Sequence, residues 1–121
     1  MKQLTEKEEE LMNLFWERGP MFVREIVELY PDPKPHFNTI STFVRVLEQK
    51  GYVWHEQFGN SYKYHAAVSR EEFSRKTLRS VMNRYFDNSL SGIVSALFKD
   101  EDLSDDEIRE LIKKVRENNN K

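Results

Sequence analysis

The chain has 121 residues, about the length of a single domain, and contains no cysteine, which excludes disulfide scaffolds, thiolate metal sites and cysteine nucleophiles. It has no apolar run near the ~20 residues that a membrane span needs, and its polar, acidic start leads us to expect no signal peptide and a cytoplasmic location. The net charge of −2, from 19 Lys and Arg against 21 Asp and Glu, does not indicate nucleic-acid binding, so any such function must come from the local arrangement of residues.

Helix-start signals and apolar periodicity predict three helices in the first half of the chain. A capping box at Thr5 begins the first helix, which runs to about Arg18. A second helix covers roughly residues 22–29, where apolar side chains recur at helical spacing. Prolines then break the chain, and a third helix covers about residues 38–50.

The composition becomes strand-like after the third helix. Residues 52–57 and 62–66 are rich in strand-forming side chains. A tight turn centred on Gly59-Asn60 joins them and predicts a β-hairpin. A turn at that position determines which residues pair across the strands. The predicted pairs are Trp54 with His65, His55 with Tyr64, and Glu56 with Lys63.

Beyond Val68 the pattern is helical again, with helices over about residues 70–86 and 90–98 and a last helix after a capping box at Ser104. Helices followed by a hairpin form the order of a winged helix, in which the third helix enters the DNA major groove and the hairpin contacts the flanking backbone. We therefore predict a mainly α fold with a small β-hairpin, consisting of a winged helix-turn-helix DNA-binding domain at residues 1–68 and a C-terminal helical dimerisation lobe at residues 69–121.

The third helix carries a polar face opposite its apolar stripe. The face consists of Asn38, Ser41, Thr42, Arg45 and Gln49. Glu and Lys normally fill a solvated helix face, yet residues 38–45 include no acidic side chain. Asn can read adenine, Thr can contact thymine and Arg can reach guanine or a phosphate, so the pattern favours a surface that faces a DNA groove over a merely solvated one.

The C-terminal helices carry apolar stripes that need a partner. Isolated helices of this length are marginal in water, so tertiary or subunit packing must stabilise them. We predict that they bury these stripes against a symmetric copy in a homodimer; the alternative is that they pack back onto the winged helix. The predicted dimerisation residues are Phe73, Leu78, Val81, Phe86, Ile93, Leu97, Phe98, Leu111 and Val115.

The stretch from Thr39 to Gly51, TISTFVRVLEQKG, resembles the recognition-helix signature of the penicillinase-repressor family (the BlaI/MecI type). Residues 59–64 and 103–108 are similar to other landmarks of that family. The resemblance implies a dimeric winged-helix transcriptional repressor that binds double-stranded DNA at a palindromic operator. By the same resemblance, Asn38, Thr39, Ser41, Thr42 and Arg45 lie in the groove, and Asn60, Ser61 and Lys63 contact DNA from the wing.

Some positions depart from the family pattern. Val46 stands where members often have a basic residue, and Pro35 stands near a position often held by Trp, which allows a different operator sequence. Relatives are inactivated by cleavage that a membrane sensor triggers, so the resemblance allows a regulatory protease or membrane sensor as a partner. The bond that matches the cleavage site of these relatives lies near Ala96-Leu97, where the local residues differ from the family pattern. Copper sensing through thiolates is excluded because the chain has no cysteine.

We find no pattern for catalysis, for a cofactor or for a metal site. His36, His55 and His65 are the only histidines, and the predicted hairpin points the last two to opposite faces. We therefore predict that the protein is not an enzyme and does not insert into a membrane. Two alternatives to DNA binding remain: a winged helix that binds another protein, and a small ligand-sensing enzyme or receptor.

Overall fold

The computed structural model describes residues 3–99 and 104–119. Within these ranges the predicted fold class is confirmed, because helices dominate and the only sheet is small. The elements in chain order are α1 (Glu6–Arg18), β1 (Met21–Phe22), α2 (Val23–Glu28), α3 (Phe37–Gln49), β2 (Val53–Phe58), β3 (Ser61–Ala66), α4 (Arg70–Tyr85), α5 (Leu90–Lys99) and α6 (Asp105–Asn119).

The hairpin forms with the predicted register. β2 and β3 are antiparallel, and all three predicted cross-strand pairs occur, including Trp54 opposite His65. Gly59 opens the two-residue turn with φ of +59°, a left-handed conformation that glycine adopts without steric cost. The sequence did not predict β1, which pairs with β3 and makes a three-stranded sheet in the order β1-β3-β2. A strand of two residues is too short to show any alternation of apolar and polar side chains.

One hydrophobic core joins α1, α2, α3 and the sheet. Its most deeply buried side chains are Leu11, Met12, Ile26, Val44 and Leu47. Burial of side chains of this size contributes about 1.5–3 kcal/mol each, so the core fixes how the third helix is oriented. Because one stripe of α3 is anchored in this core, its opposite face is turned to solvent.

A buried ion pair connects the end of α3 to the start of α1. The Glu8 side chain is only 3% exposed, and its carboxylate accepts from the Thr5 backbone N–H at 2.8 Å and from Lys50 Nζ at 2.7 Å. Lys50 Nζ also donates to the Gln3 carbonyl at 3.1 Å. Burial by itself raises the pKa of Glu8, but the hydrogen bonds from Lys50 and Thr5 and the charge of Lys50 outweigh it, so the pKa is lowered from the ordinary 4.5.

The chain divides into two compact units between Ser74 and Arg75, inside α4. The boundary after residue 68 remains a prediction. The beginning of α4 packs on the first unit, where Trp16 Nε1 donates to the Val68 carbonyl at 2.8 Å and the Phe73 ring lies 5.4 Å from that of Trp16. In the described part of the second unit, Ile108 is the one buried hydrophobic side chain. None of the described helices has the length and hydropathy needed to cross a bilayer.

Candidate nucleic-acid interface

The solvent-facing side of α3 presents the predicted groove residues. Asn38, Thr39, Thr42 and Arg45 are exposed, and Ser41 is half-buried. The buried stripe opposite them consists of Ile40, Val44 and Leu47. The helix therefore displays amide, hydroxyl and guanidinium groups, which are the groups that read base edges in a major groove.

Hydrogen bonds within α3 restrict what two of these side chains offer to a ligand. Thr42 Oγ1 donates to the Asn38 carbonyl at 2.9 Å, so its hydroxyl retains only acceptor capacity, beside an exposed methyl group. Arg45 Nη2 donates to Ser41 Oγ at 3.3 Å. Thr42 is thus suited to accept from the amino group of adenine or cytosine or to contact a thymine methyl.

The start of α3 is capped by a histidine. His36 Nδ1 accepts from the Asn38 backbone N–H at 3.0 Å, so the imidazole satisfies one of the free N–H groups at the start of the helix. Ser, Thr, Asp and Asn are the usual residues at this position. This role is not predictable from the sequence, because His36 does not belong to the common capping patterns.

The wing presents its predicted residues at the turn and along β3. Asn60 is exposed in the turn, and Ser61 and Lys63 are half-buried. Phe22 on β1 pairs with Lys63 on β3. The Lys63 ammonium lies 5.8 Å from the centroid of the Phe22 ring. β1 therefore supplies the aromatic ring that the wing lysine contacts.

A groove lies between the first residues of α2 and α3 and the turn of the wing, and we call it the wing groove. Its polar lining comprises Arg24, Ser41, Asn60, Ser61 and Tyr62, and its aromatic lining includes Phe22 and Phe37. It thus brings together one groove residue of the recognition helix and two predicted wing residues. The sequence does not predict that Arg24, Phe37 and Tyr62 line this groove, because the groove includes Phe22 on the unpredicted strand β1.

A chain of contacts connects α3 to the wing side of this groove. The Glu48 carboxylate lies 2.6 Å from His55 Nδ1, and the His55 ring stacks on Tyr62 with 4.2 Å between centroids. Below them, burial together with the negative charge of Glu48 raises the pKa of Tyr64. These contacts join the recognition helix to the wing.

Comparison with known proteins identifies a family for this chain. The sequence profile described as "Penicillinase repressor" matches residues 4–117. The chain belongs to the penicillinase-repressor family. This confirms the resemblance seen in the recognition helix. The family is one of transcriptional repressors, and this repressor is not an enzyme.

Named relatives align over most of the repressor at modest identity. The methicillin resistance regulatory protein MecI of Staphylococcus aureus (strain N315) is 27% identical over 112 residues, which cover 90% of this chain and 89% of the relative. The penicillinase repressor of Bacillus licheniformis is 25% identical over 120 residues, covering 98% of this chain and 94% of the relative. The penicillinase repressor of Staphylococcus aureus is 24% identical over 110 residues, covering 90% and 87%.

The predicted dimerisation residues of the repressor differ in exposure. Leu78, Leu97, Leu111 and Val115 are exposed, and Val81, Phe86 and Ile93 are half-buried. The side chain of Phe98 lies outside the described residues. Phe73 belongs to the first unit, where its ring packs on Trp16 and Tyr52. Three further apolar side chains of the second unit that are not in the predicted dimerisation set are exposed, namely Tyr85, Leu90 and Ile112.

Two of the three histidines lie on the wing and contact carboxylates. His55 contacts Glu48, and His65 Nε2 lies 2.9 Å from a Glu56 carboxylate oxygen while its ring stacks on Trp54. As predicted, the two rings lie on opposite faces of the sheet. His65 pairs with Trp54 across the strands, and His55 follows Trp54 on β2, so its side chain points to the other face. In residues 3–99 and 104–119 no three His, Asp or Glu side chains are grouped so as to hold a metal ion.

Proposed function

We propose that this repressor binds DNA as a homodimer at a palindromic operator and blocks access to the promoter sterically. The observation that carries the proposal is the solvent-facing side of α3. Between residues 38 and 45 it presents only short polar side chains and one arginine, and the buried stripe opposite them fixes its direction. A surface of that composition can approach base edges closely without repelling phosphates.

The residues divide into two roles by their chemistry. We assign base contacts to the recognition helix, through Asn38, Thr39, Ser41, Thr42 and Arg45. We assign backbone contacts to the wing, through Asn60, Ser61 and Lys63. Amides and hydroxyls at fixed positions on a helix discriminate between bases, whereas a cation on a hairpin attracts phosphates of any sequence.

The second unit supports the homodimer. Apart from the buried Ile108, its described apolar side chains are half-buried or exposed, and Leu111 and Val115 on α6 are 53% and 50% exposed. Helices of this length do not persist on intrinsic propensity alone, so a symmetric copy is the simplest partner for them. Two recognition helices would then read half-sites about one helical turn apart, or a multiple of it.

The dimer also accounts for the sparse positive charge. From Pro35 to Val68 the chain has three Lys or Arg against two Glu, so a single winged helix neutralises few phosphates. Non-specific affinity grows with the number of phosphates neutralised, and it should therefore be low for one subunit. Pairing doubles the contacts and lets base readout on two half-sites supply the affinity.

Selection of bound sequences from a random duplex library, followed by footprinting on the organism's own promoters, tests the proposal. We expect a palindromic site that the repressor protects, with affinity that falls as salt rises. A blank footprint at low ionic strength, with folded dimer in the sample, would contradict it. The alternative of a protein-binding winged helix predicts little affinity for any duplex.

Proteolytic control by a protease or membrane sensor remains part of the proposal. The bond between Ala96 and Leu97 lies inside the helix α5, so a protease would have to unfold that helix locally before it could cut. Incubation with extracts of induced and uninduced cells, followed by mass spectrometry of fragments, tests whether this bond is cut. As a DNA-bound regulator the protein would act in the cytoplasm.

A further inference from the structure

We propose that Arg24, at the start of α2, binds a phosphate of the operator backbone in the wing groove. This inference rests on the proposed DNA-binding function and goes beyond it, because it names a contact outside both the recognition helix and the wing. The ligand is a phosphodiester group of the strand that passes between α3 and the wing.

The position of Arg24 supports this assignment. Its guanidinium lies over the Phe22 ring, 4.5 Å from the centroid, an arrangement that limits the freedom of the side chain and leaves its N–H donors available. The residue lines the wing groove together with the hydroxyl and amide groups of Ser41, Asn60 and Ser61. A phosphate in the groove would meet several donors at once.

The charge around the groove is one-sided. No carboxylate lines the wing groove in the described structure, and Arg24 makes no ion pair with any described residue. The adjacent Glu25 is engaged elsewhere, since its carboxylate accepts from the Phe22 backbone N–H at 2.9 Å. By contrast Lys50 and Arg70 each have a carboxylate within 4.0 Å. Arg24 is therefore available to pair with an anion from outside the chain.

The size and place of the groove favour a DNA strand over a small metabolite. Its volume of about 240 Å³ is below the range typical of drug-sized ligand pockets, and it is open to solvent. It also continues the candidate interface, because Ser41 belongs to the solvent-facing side of α3 and Asn60 to the wing turn. A strand that contacts both elements passes over Arg24.

The test is a salt titration of duplex binding by the full chain carrying Arg24→Gln. A lost phosphate contact reduces the slope of log affinity against log salt by about 1 per half-site. We expect affinity to fall about tenfold, as for a lost charge-assisted hydrogen bond, and by a similar factor on the selected operator and on an unrelated duplex. Arg24→Lys should retain the slope and recover part of the affinity.

Lys7→Gln is the matched control, because it removes the same charge from an exposed position on α1 outside the wing groove. It should bind like the wild type, and thermal melting should show all variants folded. Wild-type slope and affinity in Arg24→Gln would overturn the inference, as would weaker binding with an unchanged slope, which indicates a packing role on Phe22. If the wild type itself shows no salt-dependent binding, the proposed function fails and this inference fails with it.

Discussion

The carboxylate of Glu48, on the recognition helix, lies 2.6 Å from Nδ1 of His55, on the first strand of the wing. The His55 ring in turn stacks on Tyr62, which lines the wing groove. Distance between a recognition helix and its wing decides whether both can contact one duplex. The Glu48–His55 contact thus joins the two elements to which we assign DNA contacts.

Replacing His55 by Phe should remove the contact with Glu48 while keeping an aromatic ring against Tyr62. Loss of a hydrogen bond to a charged group typically costs about 1.5–3 kcal/mol when buried and less when half exposed, so we expect the free energy of unfolding to fall by about 1 kcal/mol. Urea denaturation of the single variants His55→Phe and Glu48→Gln and of the double variant measures the coupling. Fully additive effects would show that the two side chains do not stabilise each other.

Replacing Lys50 by Met leaves the Glu8 carboxylate buried without its cation. Removing one member of a buried pair costs about 3–5 kcal/mol, so we expect a large drop in the free energy of unfolding at neutral pH. Lys7→Met is the control, because its partner Glu10 lies 3.8 Å away and both side chains are about half exposed or more; it should change stability by less than about 0.5 kcal/mol. Equal effects of the two substitutions would contradict the role of the buried pair.

The same pair predicts a pH dependence. The pKa of Glu8 is lower in the folded chain than its ordinary value of 4.5, so its stabilising contribution is present above that value and is lost as the pH falls through the folded pKa. Glu8→Gln should therefore be less stable than the wild type at neutral pH, and the difference should shrink in acid. Urea denaturation at neutral and acid pH checks this, and a difference that grows in acid would refute it.

Thr42→Ala and Arg45→Ala should weaken operator binding and leave the fold and the dimer intact. Each good base contact contributes about 1–3 kcal/mol of discrimination, so the loss should be far larger on the operator than on an unrelated duplex. Thr42→Ser keeps the acceptor oxygen and removes the methyl group, which separates readout of an amino group from readout of thymine. Unchanged affinity of both alanine variants by fluorescence anisotropy would show that this face of α3 does not meet the bases.

The elements that the sequence predicted correctly are those with local physical signals. The capping box forms at Thr5, where its hydroxyl accepts from the Glu8 N–H at 3.3 Å and its own N–H donates back to the Glu8 carboxylate. The hairpin register follows from the glycine at the turn, because a two-residue loop leaves one way to pair the strands. Short-range geometry determines both features.

The features that the sequence missed depend on contacts between distant residues. β1 exists because Met21 and Phe22 pair with β3, about forty residues further along the chain, and no local pattern marks a two-residue strand. Phe22, on this strand, lies under the Arg24 guanidinium and lines the wing groove with it. The Lys50–Glu8 pair joins two helices for the same non-local reason. The sequence therefore predicts which face of α3 is polar and turned to solvent but not the contacts that support this helix.

Leu111→Asp should convert the repressor to monomers. Leu111 is 53% exposed on α6, and a carboxylate buried there in a symmetric interface would meet its own copy nearby and lose hydration without a partner. Glu110→Gln, on the same helix, is the control and should remain dimeric. Light scattering gives the mass, circular dichroism checks that the helices persist, and operator affinity should fall because the second half-site is lost. A wild-type mass for Leu111→Asp would show that this face of α6 is not the interface, and a monomeric wild type would refute the homodimer.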